Sequence, residues 1–425
     1  MAMQAKYGTL HFNNRDQYTK NLHQNAISTQ YVRSIHVSLH EIANIHVREY
    51  NTGILAKITG RGRTHYAAKT KKCFDAMLEL LRNLPNVRLL EFKLWHSYGL
   101  VNVERFVPIV KTSWAASGSI LQVLKLGIPI EGLQLVLSPS IIFPCLEELY
   151  LEVSRASLTS DPALVMTDVL ALFLNNHYTT LRLFHLDSRH QYKFNTAPLL
   201  LNLQKLPHLE DFAQTYDFVS IRQTDTSGLT YVLRLHSDQL RSLFLLPNGQ
   251  DLYGTVPTPD EWYAQDFLSV PLPQLERLTL SLINFSDMRR TTGYLSRFSA
   301  TLTSLTLLHR GCTYSEVDVL TEAFYHQRKL RRLAIVVEVM SPPLLVLLAT
   351  KLSALRVLDI SYERINSAHS GNAKFDPVVL LRGMYTRGNY YAPFVRNSMV
   401  RISEGISGTM KRPGELCFWE WKLCV

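Results

Sequence analysis

Apolar residues recur along this chain in the spacing L-x-x-L-x-L, with mostly polar residues between them. Clear copies are LPNVRLLEF from Leu84, FPCLEELYL from Phe143, LPQLERLTL from Leu272 and LSALRVLDI from Leu352. The last two apolar residues of each copy are two positions apart, which is the period of a β-strand that buries one face. Each copy therefore predicts a short strand.

The copies follow one another at a nearly constant distance. Their first apolar residues lie at positions 87, 121, 146, 181, 209, 240, 275, 302, 330 and 355, so the intervals run from 25 to 35 residues. Several intervals carry helix signals: helical apolar spacing over 73–83 and 163–174, a capping-box-like start at Ser315, and N-cap residues followed by proline at Ser341 and Asp376. Strand and helix are thus expected to alternate along the chain.

One such unit is not expected to fold alone, because ordering about 30 residues costs more conformational entropy than three buried leucines return. Stacked units bury their leucines against the units on both sides. We therefore expect an α/β solenoid with irregular repeats of 25–35 residues, a parallel sheet on the concave face and helices on the convex face. The alternative is a multidomain α/β protein with unrelated parallel strands, which shows the same alternation.

The repeat period lies near the upper edge of the period of about 20–29 residues found in leucine-rich-repeat proteins. The chain resembles that class and, more narrowly, the fungal F-box/leucine-rich-repeat proteins. The resemblance rests on the strand-like TQYVRSIHVSL (Thr29–Leu39), the following LPNVRLLEF, and AKYGTLHF (Ala5–Phe12). It implies a non-catalytic substrate-recognition subunit of a cullin-RING ubiquitin ligase; the alternative is a stand-alone leucine-rich-repeat scaffold.

No segment before Tyr31 matches an F-box, which speaks against binding of the ligase adaptor. We expect three regions: residues 1–30 as a helical lead-in that could be an F-box remnant, 31–366 as the leucine-rich-repeat solenoid, and 367–425 as a C-terminal cap. In the cap, ELCFWEWKLCV (Glu415–Val425) alternates apolar and polar residues, as a half-buried strand that closes the open end of the stack would.

Composition excludes several classes of protein. The five cysteines are scattered and form no CxxC pair, and the N-terminus has no apolar signal segment, so we expect a cytoplasmic or nuclear protein with reduced thiols and no membrane span. The net charge of +10 is compatible with an acidic partner. A segment over 57–72 carries six basic residues and no acid, but only one aromatic, which speaks against a nucleic-acid platform.

No catalytic or metal-binding motif is complete. HVSLHEIANIH (His36–His46) lacks the second histidine of H-E-x-x-H, GRGRTH from Gly60 lacks a third glycine, and GISG from Gly405 is one residue short of G-x-S-x-G. Histidines 36 and 40 suit one face of a strand better than a metal site. We therefore expect no enzyme activity, cofactor or metal.

The candidate functional surface follows from strand geometry. Residues that flank the last two apolar positions of each copy point to the opposite face of the strand, and stacking brings them together on the concave sheet, the usual binding face of a solenoid. We expect a protein partner to contact this face at Glu91, Lys93, Lys125, Glu148, Tyr150, Glu152, His185, Asp187, Phe244, Arg277, Thr279, Thr306, Arg332, Asp359 and Ser361.

Overall fold

The chain folds into two compact units in a computed structural model. Unit 1 comprises Met1–Val219, Gln223–His236 and Asn248–Asp251; unit 2 comprises Ser220–Arg222, Ser237–Pro247 and Leu252–Val425. The structure describes residues 8–12, 29–38, 74–93, 103–154, 162–188, 195–216, 225–247, 259–365 without 284 and 286, 399–404 and 421–422. The predicted helix near Asp376 and the basic segment 57–72 lie outside the described residues.

Seven strands of unit 1 form a parallel sheet in chain order. They are β1 (Thr9–Phe12), β2 (Ser34–Ser38), β3 (Leu89–Lys93), β4 (Val123–Pro129), β5 (Glu148–Ser154), β6 (Leu183–Asp187) and β7 (Asp211–Tyr216). Each strand pairs with the next one along the chain, as expected of consecutive repeats joined by crossover connections. The predicted alternation of strand and helix is confirmed.

The described parts of the connections in unit 1 are largely helical. The helices are α1 (residues 74–82), α2 (Val107–Ser117), α3 (Ile130–Val136), α4 (Pro162–Val165), α5 (Leu172–Asn176), α6 (Ala197–Leu201) and α7 (Ser227–Leu235). A π-helical turn, Met166–Ala171, joins α4 to α5, and 3₁₀ turns cover Val103–Phe106 and Gly118–Ile120. The sequence signals over 73–83 and 163–174 therefore mark real helical segments.

Unit 2 repeats the same plan. Its strands are β8 (Ser242–Pro247), β9 (Arg277–Ser281), β10 (Ser304–Cys312), β11 (Arg332–Met340), β12 (Val357–Ile365), β13 (Met399–Glu404) and β14 (Trp421–Lys422). Pairing is parallel from β8 to β13 and antiparallel between β13 and β14. The helices are α8 (Pro259–Tyr263), α9 (Met288–Ser296), α10 (Tyr314–Tyr325) and α11 (Pro342–Lys351), with a 3₁₀ turn at Asp266–Ser269.

The core consists of the apolar positions that define the repeat. All ten first apolar residues, from Val87 to Leu355, are at most 3% exposed. In every copy except the one at Leu209, whose third position is Gln214, the two apolar residues that follow are equally buried, as Leu278 and Leu280 of β9 show at 1% and 0%. Each leucine set therefore packs against those of neighbouring repeats, and the fold is a leucine-rich-repeat solenoid.

One backbone contact recurs at each step from β1 to β7 and from β8 to β12. The carbonyl of the residue after the first apolar position accepts hydrogen bonds from two successive N–H groups of the next repeat. Arg88 O accepts from Gln122 at 2.9 Å and from Val123 at 2.9 Å, and Arg331 O accepts from Arg356 at 2.7 Å and Val357 at 2.9 Å. We call the residues at this position the carbonyl row; each lies beside the equivalent residue of the next repeat.

Two histidines connect repeats inside unit 1. The buried imidazole of His177 accepts at Nε2 from the backbone N–H of Phe143, and His236 accepts in the same way from Leu206 at 3.0 Å. Each histidine stands four residues before a first apolar position, and each donor N–H belongs to the residue before a proline. Buried backbone N–H groups need acceptors, and here the side chain of the next repeat supplies one.

The structure adds strands within both predicted end regions of the solenoid. Strand β1 (Thr9–Phe12) already pairs in parallel with β2, so the region expected to be a helical lead-in contributes a strand to the sheet. The region expected to be a cap contributes the parallel strand β13, and β14 pairs with its edge in the antiparallel direction. Strands β1 and β13 were missed because each has only two clear apolar residues, Leu10 and Phe12 or Val400 and Ile402.

Helix α10 begins slightly earlier than predicted. Its N-cap is Thr313, whose Oγ1 accepts from the N–H of Glu316, while the Glu316 carboxylate accepts from the N–H of Thr313 at 2.9 Å. This reciprocal arrangement is a capping box. Helix α11 begins at Pro342 after Ser341, as predicted, but the Ser341 side chain makes no capping hydrogen bond.

Candidate functional site

One register row crosses the exposed face of the sheet in unit 1. Successive pairings place its members side by side: His11, His36, Glu91, Lys125, Tyr150 and His185. We call these six residues the sheet-face row. Their neighbours along each strand, such as Leu149 and Leu151, are buried, so the row lies on the face opposite the leucine core.

One end of the row is a packed group of three side chains. The ammonium of Lys125 lies 4.5 Å from the centroid of the Tyr150 ring, and the rings of Tyr150 and His185 have centroids 5.7 Å apart. The Tyr150 hydroxyl donates to Glu148 at 3.0 Å. Burial and the Glu148 carboxylate raise the pKa of Tyr150 to about 12, so the phenol stays protonated at neutral pH.

The other end of the row is an ionic cluster. The imidazoles of His11 and His36 stack with centroids 4.6 Å apart, and His36 Nδ1 lies 2.6 Å from the Glu91 carboxylate. The Lys93 ammonium lies 3.2 Å from the other oxygen of Glu91. Burial by itself raises the pKa of Glu91, but the hydrogen bonds from His36 and Lys93 outweigh it, and the pKa is lowered from its ordinary value. Glu91 is therefore a carboxylate at neutral pH.

The structure brings four of the predicted residues together in this row: Glu91, Lys125, Tyr150 and His185. Lys93, Glu148 and Glu152 flank the row two residues away along their strands. Asp187 is only 5% exposed and accepts a hydrogen bond from Thr215 Oγ1 at 2.8 Å, so its carboxylate is not presented to a partner.

The predicted residues of unit 2 form a second set of rows. Phe244, Thr279, Thr306 and Asp359 occupy one register row, with Ala334 between the last two. Arg277 and Arg332 occupy the row two residues earlier, separated by Ser304, and Ser361 lies two residues after Asp359. Arg332 donates to Asp359 at 2.9 Å, so these two charges already neutralise each other.

Sequence reasoning missed His11 and His36 as members of the face. The first copy, VRSIHV from Val32, places His36 where LPNVRLLEF places Glu91, so the same alternation would have found it. His11 had no such signal, because GTLHF offers only two of the three apolar positions.

The structure offers no metal centre or membrane span within the part that it describes. No group of three or more histidine, cysteine, aspartate or glutamate side chains there is arranged to hold a metal ion. No helix among the described residues has both the length and the apolar character needed to cross a membrane. Cys145 and Cys312 are free thiols, and burial raises the pKa of the Cys312 thiol to about 12, which leaves it protonated.

Similarity to known proteins is found among solved structures. A crystal structure of the Rad7 and Elc1 complex in yeast is similar to this chain, with a TM-score of 0.40 and 16% sequence identity over 71% of this chain and 77% of that chain. No protein-family model and no curated protein matches the chain.

Proposed function

We propose that the chain is a non-catalytic repeat protein that captures a protein partner on the sheet-face row of unit 1. The observation that carries this proposal is the packed group of Lys125, Tyr150 and His185, in which a cation and an imidazole both lie against the ring of Tyr150. Contacts made before binding reduce the side-chain entropy lost on association.

The chemistry of the row suits a protein surface. Tyrosine is enriched among residues that carry interface energy, because it supplies a large apolar ring with a polar end and has few rotatable bonds. Around Tyr150 the row offers both charge signs, with Lys125 on one side and Glu148 on the other. A partner with complementary charges would gain orientation from them, and apolar contact from the ring.

The finer proposal is that the captured protein is a substrate for ubiquitin ligation and that the chain acts as the recognition subunit of a cullin-RING ligase. It is supported by the resemblance of TQYVRSIHVSL (Thr29–Leu39) and the repeats after it to F-box/leucine-rich-repeat proteins. The alternative is a stand-alone scaffold that holds the same partner without any ligase.

Capture of the partner by matched variants tests the binding face. The full chain is tagged, expressed in its source cells and purified as wild type, Tyr150→Ala and Tyr178→Ala. Tyr178 is 45% exposed just after helix α5, away from the strands, so it controls for the loss of an exposed tyrosine. A hot-spot tyrosine costs about 2 kcal/mol or more, roughly 30-fold in affinity.

We expect Tyr150→Ala to lose a protein that wild type and Tyr178→Ala retain, with all three showing similar thermal unfolding. Equal retention by the three proteins would remove the sheet-face row as the binding site. Co-purification of a cullin and its adaptor, with ubiquitin transfer to the captured protein in vitro, would support the ligase role. A retained partner with no cullin and no ubiquitin transfer would favour the scaffold.

A further inference from the structure

The carbonyl row places a second set of side chains in contact along the edge where the strands begin. Its members in unit 2 are Arg241, Glu276, Thr303, Arg331 and Arg356, each joined to the next by the paired backbone hydrogen bonds. Side chains at these positions reach one another: Arg241 meets Glu276 at 2.9 Å, and in unit 1 Arg182 meets Glu210 at 3.1 Å. Opposite charges on neighbouring repeats thus form pairs along this edge.

The end of the row in unit 2 breaks this alternation. Arg331 and Arg356 are neighbours of like charge, and both are exposed. Arg328 and Lys329, also exposed, stand in the loop that leads into β11. Within the described residues, no carboxylate forms an ion pair with any of these four cations. Like charges on adjacent strands destabilise a sheet, so the arrangement is unfavourable in the isolated chain.

Arg328 adds a second observation. It has a φ of 48°, the left-handed conformation that usually carries glycine just after a helix. An arginine in this conformation is strained, and it adds a further exposed cation three residues before Arg331. Arg33 is a contrasting case. It also lies beside a like charge, Arg88, but its guanidinium donates to the carbonyls of Gln30 and Asn86. These hydrogen bonds within the chain explain why an arginine stands there.

We infer that Arg328, Lys329, Arg331 and Arg356, the basic edge, form a second binding surface, one that takes an acidic segment of a polypeptide. The structure already shows a carboxylate seated beside this edge, because Asp359 bonds Arg332, the residue after Arg331, at 2.9 Å. Guanidinium groups hold carboxylates through paired N–H donors. A DNA-binding protein makes roughly six to ten phosphate contacts, whereas this surface has four cations. A short acidic peptide motif therefore fits it better than DNA does. This inference does not depend on the proposed role of the sheet-face row.

Fluorescence anisotropy with labelled octaglutamate tests the basic edge on the full chain. The test variant is Arg331→Glu with Arg356→Glu; the control, with the same change in net charge, is Arg82→Glu with Arg88→Glu, two exposed arginines of unit 1. We expect wild type and the control to bind octaglutamate within about twofold of each other, and the test variant to bind at least about tenfold more weakly. Octalysine should not bind.

Arg328→Gly provides an independent readout, because glycine relieves the strained backbone while removing a cation. We expect it to weaken octaglutamate binding severalfold while its melting temperature stays equal or rises. Equal losses of octaglutamate binding in the test and control variants would show that net charge alone explains the effect, and would overturn the inference. An absence of octaglutamate binding to wild type, or tighter binding of an eight-nucleotide oligothymidylate, would overturn it as well. The Tyr150 variants bear on neither result.

Discussion

The Nε2 atom of His177 accepts a hydrogen bond of 2.9 Å from the backbone N–H of Phe143, which lies 34 residues earlier in the chain. The other ring nitrogen, Nδ1, donates to the carbonyl of Phe173 at 2.7 Å. An imidazole that accepts on one side and donates on the other is neutral. Its side chain is 2% exposed and packs against the rings of Phe143 and Phe173.

The neutral state of His177 predicts a loss of stability in mild acid. Burial lowers the pKa of His177 from its ordinary value of 6.5, against a smaller opposing effect of the hydrogen bond to Phe173. A group whose pKa is lowered on folding contributes stability that is complete above its unfolded pKa and is lost as the pH falls through the folded pKa. We expect the urea midpoint of wild type to decrease as the pH is lowered from about 7.5 to about 5.5.

His177→Gln removes this titration, so its urea midpoint should vary less over the same pH range, although it is lower than wild type at neutral pH. His208→Gln is the control, because it makes the same substitution at an exposed histidine. An identical pH slope in wild type and His177→Gln would show that His177 does not govern acid stability.

Replacement of glycine by alanine is expected to have opposite effects on stability at Gly228 and at Gly293. A Cβ at Gly228 would lie 2.7 Å from the Cα of Ala197, so Gly228→Ala must push helix α7 away from helix α6. We expect a loss of about 1–3 kcal/mol in the free energy of unfolding. A Cβ at Gly293, inside helix α9, meets nothing within 4 Å, and Gly293→Ala should gain about 0.5–1 kcal/mol. Urea unfolding of both variants measures the difference, and two changes of the same sign would contradict the close approach.

The two helix starts of unit 2 predict unequal costs of losing an N-cap hydroxyl. Thr313→Ala removes the acceptor for the Glu316 N–H and half of the capping box, for which we expect about 0.5–2 kcal/mol of destabilisation. Ser341→Ala should cost less, since the Ser341 side chain makes no capping bond and Pro342 sets the first turn. Chemical denaturation distinguishes them; a larger effect at Ser341 would argue against the observed cap geometry.

The repeat could be predicted from sequence because its signal is local. Leu275, Leu278 and Leu280 are buried for the reason their spacing gave, since a strand with alternate apolar residues must turn that face inward. The repeat at Leu209 shows the limit of that logic. Its third position holds Gln214, a polar residue that is 3% exposed and donates to Thr196 Oγ1 at 2.7 Å. A partner 18 residues away satisfies it, and no local pattern reports such a partner.

The candidate surface was predictable in part for a related reason. Alternation places Lys125, Tyr150 and His185 on one face, and register then makes them neighbours, so this end of the sheet-face row follows from the sequence. The sequence could not show that Asp187 is buried and hydrogen-bonded to the Thr215 hydroxyl, or that Arg332 is already paired with Asp359. Those outcomes depend on which residue of the next repeat stands opposite. The basic edge was missed because Arg331 and Arg356 become neighbours only when their two repeats stack.

The carbonyl that accepts two successive N–H groups has a consequence for how the sequence of this chain can change in evolution. Each pair of bonds fixes the offset of one strand against the next, while the intervals between repeats range from 25 to 35 residues. Insertions and deletions in the connecting segments therefore leave the alignment of adjacent strands unchanged. Related chains can be expected to differ widely in loop length while they retain the two-residue step from the first apolar residue to the start of each strand.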